Sequence, residues 1–213
     1  MLTREHVIER LDRTPNGGRV RTNDDARTGR GGSNPNPFDD NPWYPEDGKL
    51  RPAAVLVPLV NHGGGLTVLL TKRTEHLNNH AGQISFPGGR VDDEDDGPEH
   101  TALRETEEEV GIDRNRIEIV SHLDDYVVGT GFLVRPVVGF IEPPIDVDKH
   151  DHEVDEVFEA PLEFLIDPEN VERHHREFNG RVRHFFAITY RDYYIWGATA
   201  GMLCNLAERL RGE

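Results

Sequence analysis

The chain has 213 residues, a formal net charge of −16 and a pI near 5.1, and 35% of its residues are hydrophobic. This length is sufficient for one domain with a sizeable core. The strong negative charge argues against nucleic acid and anionic membranes as general partners, because both carry negative charge themselves. The high acid content and scarce lysine are typical of a halophilic, acidic proteome, in which salt screens the repulsion within each protein.

The cysteine and the N-terminus indicate the cellular compartment. Cys204 is the only cysteine, so the chain cannot form an internal disulfide and does not require an oxidising environment. The first residues carry charges and lack the apolar core of a signal peptide, and no stretch is long and apolar enough to span a bilayer. We therefore expect a cytoplasmic protein that does not bind membranes.

The first quarter of the chain differs from the remainder in composition. Thr3 is predicted to cap a short helix from Arg4 to Asp12. Residues 14–48 are rich in Gly, Pro, Asn and Asp, which predicts a long extension with Trp43 and Tyr44 as its attachment points. We therefore divide the chain into an N-terminal helix and extension, residues 1–50, and a main domain, residues 51–213.

The main domain alternates between strands and helices without a regular repeat. Pro58, in the first apolar segment, indicates an edge strand or a bulge. Helices are predicted at 98–110, 161–165 and 195–210, and strands at 51–60, 66–71, 82–86, 117–123, 132–142, 157–160 and 181–190. This order predicts an α/β fold in which helices sandwich a mixed β-sheet.

The central helix carries the strongest functional signal. Pro98 suits its first position and Gly111 its end. Glu105, Glu108 and Glu109 then share one helix face, where three carboxylates repel one another and raise one another's pKa. A hard divalent cation, Mg²⁺ or Mn²⁺, relieves this repulsion through oxygen ligands. A Glu-rich helix is more commonly a solvated surface. This helix is bounded by glycines and preceded by an acidic loop, residues 92–96, and both features favour a metal site.

The residues around these carboxylates form a known signature. Arg104-Glu105-x-x-Glu108-Glu109-x-Gly111-Ile112 resembles the core of the Nudix box, which marks hydrolases of nucleoside diphosphates linked to another moiety. Two features depart from the usual pattern. Thr106 stands where an aliphatic residue is usual, and the loop before Arg104 is one residue longer, with Asp95 or Asp96 at its acidic position.

This resemblance implies a fold and a set of site residues. The implied fold is the Nudix-type α/β/α sandwich with a mixed β-sheet, covering residues 51–213. The implied metal ligands for Mg²⁺ or Mn²⁺ are Glu105, Glu108 and Glu109, oriented by Arg104. The general base stays open among Glu105, Glu156 and Glu153, because members of the family differ in this residue.

The segment before the Nudix box resembles one subgroup of the family in particular. Residues 69–89 are similar to the motif of the coenzyme A pyrophosphatase subgroup, which also has the longer loop. Thr74 stands where the subgroup has Ser or Ala, and Asn78 where it has Arg. The resemblance implies that coenzyme A or an acyl-CoA, a small nucleoside diphosphate derivative, is the substrate. A homodimer is compatible with this interpretation.

Four residues of this segment are candidates for binding the substrate. Lys72 and Arg73 form a basic pair in an acidic chain, and both can bind phosphate. Surface ion pairs with nearby carboxylates are their alternative role. Gly88 and Gly89 allow a close approach of the backbone to a ligand.

Three alternatives stay open. The first is a Nudix enzyme that acts on ADP-ribose or another nucleoside diphosphate derivative. The second is a Nudix-like binding module without catalysis, and the third is an acidic structural protein. His174-His175 and His150-x-His152 lack the partner residues of a zinc site, so we interpret them as surface histidines.

Overall fold

The computed structural model describes residues 2–14, 19–23, 25–28, 49–76, 81–178 and 181–212. Within these ranges the chain forms five α-helices and twelve β-strands. The helices are α1 (Arg4–Arg13), α2 (Asp25–Thr28), α3 (Pro98–Val110), α4 (Leu162–Leu165) and α5 (Ala198–Arg211). The strands are β1 (Val20–Thr22), β2 (Arg51–Asn61), β3 (Leu66–Arg73), β4 (Ile84–Ser85), β5 (Gly88–Arg90), β6 (Ile117–His122), β7 (Asp125–Val128), β8 (Phe132–Ile141), β9 (Val154–Pro161), β10 (Val171–Phe178), β11 (Arg181–Tyr190) and β12 (Tyr193–Trp196). Trp43, Tyr44 and Asn78 lie outside the described residues.

The larger sheet is mixed, as predicted. Its central pair, β2 and β8, is parallel and stays in register from Arg51 opposite Phe132 to Val60 opposite Ile141. Strand β3 is antiparallel to β2, and β9 is antiparallel to β3, while β6 and β7 pair antiparallel with β8. Strand β5 pairs with residues 53–55 of β2, on the edge of β2 that faces away from β8. The sheet therefore places β5 and β3 on the same side of β2.

The prediction that Pro58 marks an edge strand or a bulge is wrong, because the register of β2 with β8 is unbroken at Pro58. Strand β2 lies inside the sheet, with β8 along one side. On its other side, β5 pairs with residues 53–55 and β3 pairs with residues 59–61. Pro58 lies in the gap between these two partners, where the ladder is interrupted, so its missing N–H donor is tolerated there.

Two hydrophobic cores cover the two faces of the sheet. On one face, Ala102 and Val110 of α3 pack against alternate residues of β2 that include Ala54 and Leu56. On the opposite face, the intervening β2 residues pack against α1 and α5. This alternation follows from the period of two along a strand. The layers form the predicted α/β/α sandwich, and α3 is alone among the longer helices on its face.

A smaller antiparallel sheet of β10, β11 and β12 precedes α5. Its last strand corrects the predicted start of the closing helix at residue 195. Ile195 and Trp196 belong to β12, and the helix begins only at Ala198. Gly197 lies between them with a φ of 67°, a conformation that glycine adopts readily and that separates the two elements.

The N-terminal helix packs against the main domain. The Thr3 side chain accepts a hydrogen bond from the His6 N–H, which confirms the predicted cap. Val7 and Leu11 are buried in the core that α5 also lines, and Arg209 of α5 donates to the Leu11 carbonyl at 2.8 Å. The division into residues 1–50 and 51–213 stays a prediction. No helix in the described part of the chain is long and apolar enough to cross a membrane.

Candidate active site

The site forms where the outer face of α3 meets the two glycines of β5. An added Cβ on Gly89 would lie 2.5 Å from the Glu105 carboxylate, so only glycine leaves room for that side chain. Gly88 has a φ of 151°, and a Cβ there would lie 2.4 Å from the Ala54 carbonyl oxygen of β2. The Gly88 N–H donates to Glu109 Oε2 at 3.1 Å. The glycines therefore bring the backbone into direct contact with two of the predicted metal ligands.

The three glutamates of α3 occupy different environments. Glu109 is only 5% exposed, and burial raises its pKa to about 7, against the lowering effects of the Gly88 hydrogen bond and Arg73. Burial also raises the pKa of Glu105, which is partly buried. Glu108 is mostly exposed. Together the three carboxylates carry more negative charge than the neighbouring cations neutralise, most of all at Glu109.

Arg104 connects two of these carboxylates to the acidic loop. Its Nη1 donates to Glu105 at 2.9 Å and to Glu108 at 3.1 Å. Its Nε and Nη2 donate to the two oxygens of Asp95, at 3.0 and 2.9 Å, which is a bidentate pair. Of the two candidates for the acidic loop position, the structure therefore places Asp95 at Arg104, while Asp96 is exposed.

Asp95 binds Arg104 and also fixes the acidic loop. It accepts further hydrogen bonds from the Asp92 N–H at 3.0 Å and the Thr101 hydroxyl at 2.8 Å. The hydrogen bonds from Arg104 are the main reason that the pKa of Asp95 lies well below its usual range. The carboxylate stays ionised as a result, and it fixes the guanidinium that orients Glu105 and Glu108.

The loop of residues 148–153, which we call the 148–153 loop, closes the site at the C-terminal end of α3. The Asp148 N–H donates to the Val110 carbonyl at 3.0 Å, and the His150 N–H donates to the Glu109 carbonyl at 2.9 Å. These bonds satisfy carbonyls that the end of a helix leaves free. The charge of Glu153, at the end of the loop, contributes to the raised pKa of both Glu105 and Glu109, after burial. Glu153 therefore lies in the loop that is bonded to the end of α3, and its side chain is exposed.

The basic pair of β3 divides between two places. Arg73 Nη1 lies 3.8 Å from Glu109 Oε1, and the buried Arg73 Nε has no hydrogen-bond partner among the described residues. Lys72 instead pairs with Asp155, with its Nζ 3.4 Å from Oδ2, and lies opposite Glu156 in the β3–β9 ladder. Successive residues of a strand point to opposite faces, so adjacency in the sequence does not place both cations at the site.

Glu156 also lies apart from the other candidates. Its Oε1 accepts a hydrogen bond of 2.6 Å from the Tyr193 hydroxyl, and the Tyr193 ring stacks on Phe158 of the same strand. Phe158 packs against the core that contains α5, whereas the α3 carboxylates lie on the opposite face of the sheet. Glu156 therefore lies apart from the carboxylates of α3, whereas Glu153 belongs to the loop that is bonded to the end of that helix.

The site has the composition that a hard divalent cation requires. Its donors are carboxylate oxygens, the ligands that Mg²⁺ and Mn²⁺ prefer, and the pKa of the buried Glu109 stays raised although Arg73 lies 3.8 Å away. In the described ranges, no group of three or more His, Cys, Asp or Glu side chains is already arranged around a metal position. Arg104 contacts the oxygens of Glu105 and Glu108 instead.

Comparison with known proteins identifies the class. A family model for the NUDIX domain matches residues 49–182. The uncharacterized Nudix hydrolase NudL of Escherichia coli O7:K1 is 41% identical over 164 residues, which cover 75% of this chain and 83% of that protein. The chain belongs to the Nudix hydrolase family. As a member of this family it is a pyrophosphohydrolase, and Nudix enzymes generally use divalent metal ions.

Two solved structures also resemble this chain. The Nudix hydrolase RenU of M. smegmatis is 21% identical, with a TM-score of 0.48, over 58% of this chain and 81% of that chain. A binary complex of the C. elegans Ap4A hydrolase is 26% identical, with a TM-score of 0.46, over 52% of this chain and 80% of that chain.

Proposed function

We propose that the enzyme hydrolyses the pyrophosphate bond of coenzyme A or an acyl-CoA in a reaction that depends on Mg²⁺ or Mn²⁺. The observation that carries the hydrolytic site is the convergence of Glu105 and Glu109 beside Gly88 and Gly89, with Arg104 bonded to Glu105 and Glu108. The substrate follows from the resemblance of residues 69–89 to the coenzyme A pyrophosphatase subgroup. The products would be adenosine 3',5'-bisphosphate and 4'-phosphopantetheine, or its acylated form.

Each site residue has a proposed part in this reaction. Glu105, Glu108 and Glu109 would hold the cation, which when bound neutralises charge on the phosphoryl oxygens and lowers the pKa of water. Arg104 orients Glu105 and Glu108, and Asp95 fixes Arg104. Gly88 and Gly89 would contact the diphosphate through their backbone, beside the Glu105 and Glu109 carboxylates that they adjoin.

We assign the general base to Glu153, and Glu105 and Glu156 are the competing candidates from the sequence. Glu153 is exposed at the site and makes no side-chain hydrogen bond to a described residue. Glu105 is bonded to Arg104, and Glu156 to Tyr193. The base accepts a proton from water, the water oxygen bonds to one phosphorus, and the bond from that phosphorus to the bridging oxygen breaks. The second phosphate leaves with the bridging oxygen.

A substrate panel tests the proposal. Coenzyme A, an acyl-CoA, dephospho-coenzyme A, ADP-ribose and NADH are each incubated with Mg²⁺, with Mn²⁺ and with chelator, and the products are separated by chromatography. We expect the highest kcat/KM for coenzyme A or the acyl-CoA and no turnover with chelator. A preference for ADP-ribose would support the second candidate, which the uncharged Asn78 favours because the subgroup has Arg at that position.

Replacing Glu108 tests the metal site in the same assay. Glu108→Gln keeps the size of the side chain and removes the charge, so we expect a loss of several powers of ten, or about 4 kcal/mol or more. Glu94→Gln is the matched control, since Glu94 is exposed in the acidic loop. Turnover of Glu108→Gln at the wild-type rate in saturating Mg²⁺ and Mn²⁺ would contradict the assignment.

Of the two basic residues Lys72 and Arg73, Arg73 is the one proposed to bind the substrate, because it lies near Glu109, while Lys72 pairs with Asp155 and serves for comparison. The 3'-phosphate of coenzyme A requires a positive group. If Arg73 supplies it, Arg73→Ala weakens the reaction with coenzyme A more than that with dephospho-coenzyme A, by roughly ten- to hundredfold for a charge-assisted contact. Lys72→Ala serves as the neighbouring comparison. Equal losses on both substrates would place Arg73 at the pyrophosphate or in a structural pair with Glu109.

A further inference from the structure

Thr74 connects the end of β3 to the 148–153 loop through two hydrogen bonds. Its backbone N–H donates to the Glu153 carbonyl at 3.0 Å, and its hydroxyl donates to the His152 carbonyl at 2.9 Å. Thr74 is 7% exposed, so these bonds form in a largely buried place where an unpaired carbonyl is costly. The two carbonyls belong to the residue of the proposed base and to the residue before it.

The 148–153 loop is therefore held from two sides. At its start, the α3 carbonyls of Glu109 and Val110 accept from its N–H groups, and at its end Thr74 donates to its carbonyls. The residue before Thr74 is Arg73, whose side chain lies near Glu109. One short segment thus contacts both a proposed metal ligand and the backbone of the proposed base.

We propose that Thr74 is a positioning residue, which fixes the backbone of Glu153 in the loop that is bonded to the end of α3. This inference rests on the proposed function, in which Glu153 is the general base. The hydroxyl is the part that a side chain contributes, because the backbone N–H bond would persist with other residues. A base must lie within hydrogen-bond reach of the water, so a small displacement of the loop lowers kcat.

Two substitutions at Thr74 separate the effect of its hydroxyl on kcat from the effect of its branched shape. Thr74→Val keeps the branched side chain and removes the hydroxyl, and we expect kcat to fall roughly ten- to hundredfold with little change in KM, as for a misplaced catalytic group. Thr74→Ser keeps the hydroxyl and is expected to restore most of kcat. Thr67→Val is the control, because the Thr67 hydroxyl, also on β3, donates to Glu159 away from the site.

A double-mutant cycle with Glu153→Gln decides the inference. If Thr74 acts through Glu153, Thr74→Val lowers kcat in the wild type but not in the Glu153→Gln background. If Glu153→Gln lowers kcat and the two losses multiply, Glu153 stays the base and the inference about Thr74 is wrong. If Glu153→Gln has wild-type kcat, the assignment of the base fails, and the inference fails with it. Unfolding midpoints of all four proteins show whether a loss reflects stability instead.

Discussion

Burial of Glu109 predicts that the metal-free enzyme becomes less stable as pH rises. The side chain is 5% exposed, and its pKa is raised from 4.5 to about 7. A carboxyl with a raised pKa in the folded state favours the protonated form there. Its contribution to stability is therefore complete below pH 4.5 and is lost as pH rises through 7. A shift of about 2.5 units corresponds to about 3 kcal/mol.

Glu109→Gln removes the free-energy cost of the buried negative charge and keeps an oxygen that accepts the hydrogen bond from the Gly88 N–H. In chelator at pH 8, we expect the variant to be more stable than the wild type by about 3 kcal/mol, or roughly 6 to 12 °C in Tm for a chain of this length. The difference should shrink toward zero near pH 4. Urea unfolding at fixed salt measures it, with Glu94→Gln as the control at an exposed position.

Added Mg²⁺ should make the wild type more stable than Glu109→Gln, the reverse of their order in chelator. A ligand that binds only the folded state stabilises it in proportion to the logarithm of its concentration above Kd. The wild type should gain stability with Mg²⁺ at pH 8, and the variant should gain much less while losing activity. If Glu109→Gln is less stable than the wild type in chelator at pH 8, then Glu109 is not a strained buried charge and the reasoning is wrong.

Three further predictions concern other parts of the chain. Asp95→Asn weakens the bidentate hold on Arg104, so we expect kcat/KM to fall about 10- to 100-fold, as for residues that orient metal ligands, and a titration of activity with Mg²⁺ checks this. Burial raises the pKa of Cys204 to about 12, so its thiol should react about a thousandfold more slowly with a disulfide reagent at pH 8 than a free cysteine, and at the ordinary rate in urea. The net charge of −16 predicts that the unfolding midpoint rises with KCl concentration, and a midpoint independent of salt would reject the halophilic interpretation.

Local signals in the sequence predicted α3 well. Pro98 and Gly111 bound the helix at the expected residues, and Gly111 has a φ of 73°, in the left-handed region. The spacing of Glu105 and Glu109 placed both on one face without knowledge of the rest of the fold. The mixed sheet also followed from the order of elements. These features depend on neighbours along the chain, which a sequence shows directly.

Other features depend on register between distant strands, which the sequence does not show. Pro58 is tolerated inside the sheet because two different strands pair with β2 on either side of it. The strand β12 was missed because its apolar residues continue into α5 with no strong break other than Gly197. The acidic loop left Asp95 and Asp96 equivalent in the sequence, and only the position of Arg104 distinguishes them.

The choice between Glu153 and Glu156 shows how register selects a site residue. Both glutamates lie in one acidic segment, and neither has a distinguishing neighbour in the sequence. Strand β9 begins at Val154, so Glu156 takes a fixed place in the ladder opposite Lys72, on the side of Tyr193. Glu153 precedes the strand and belongs to the loop bonded to the end of α3. Thr74 lies just beyond β3, where the ladder with β9 ends, and it donates two hydrogen bonds to the loop. The position of the proposed base is therefore a property of where β9 starts, and a change at Thr74 should affect catalysis without changing any residue of the Nudix box.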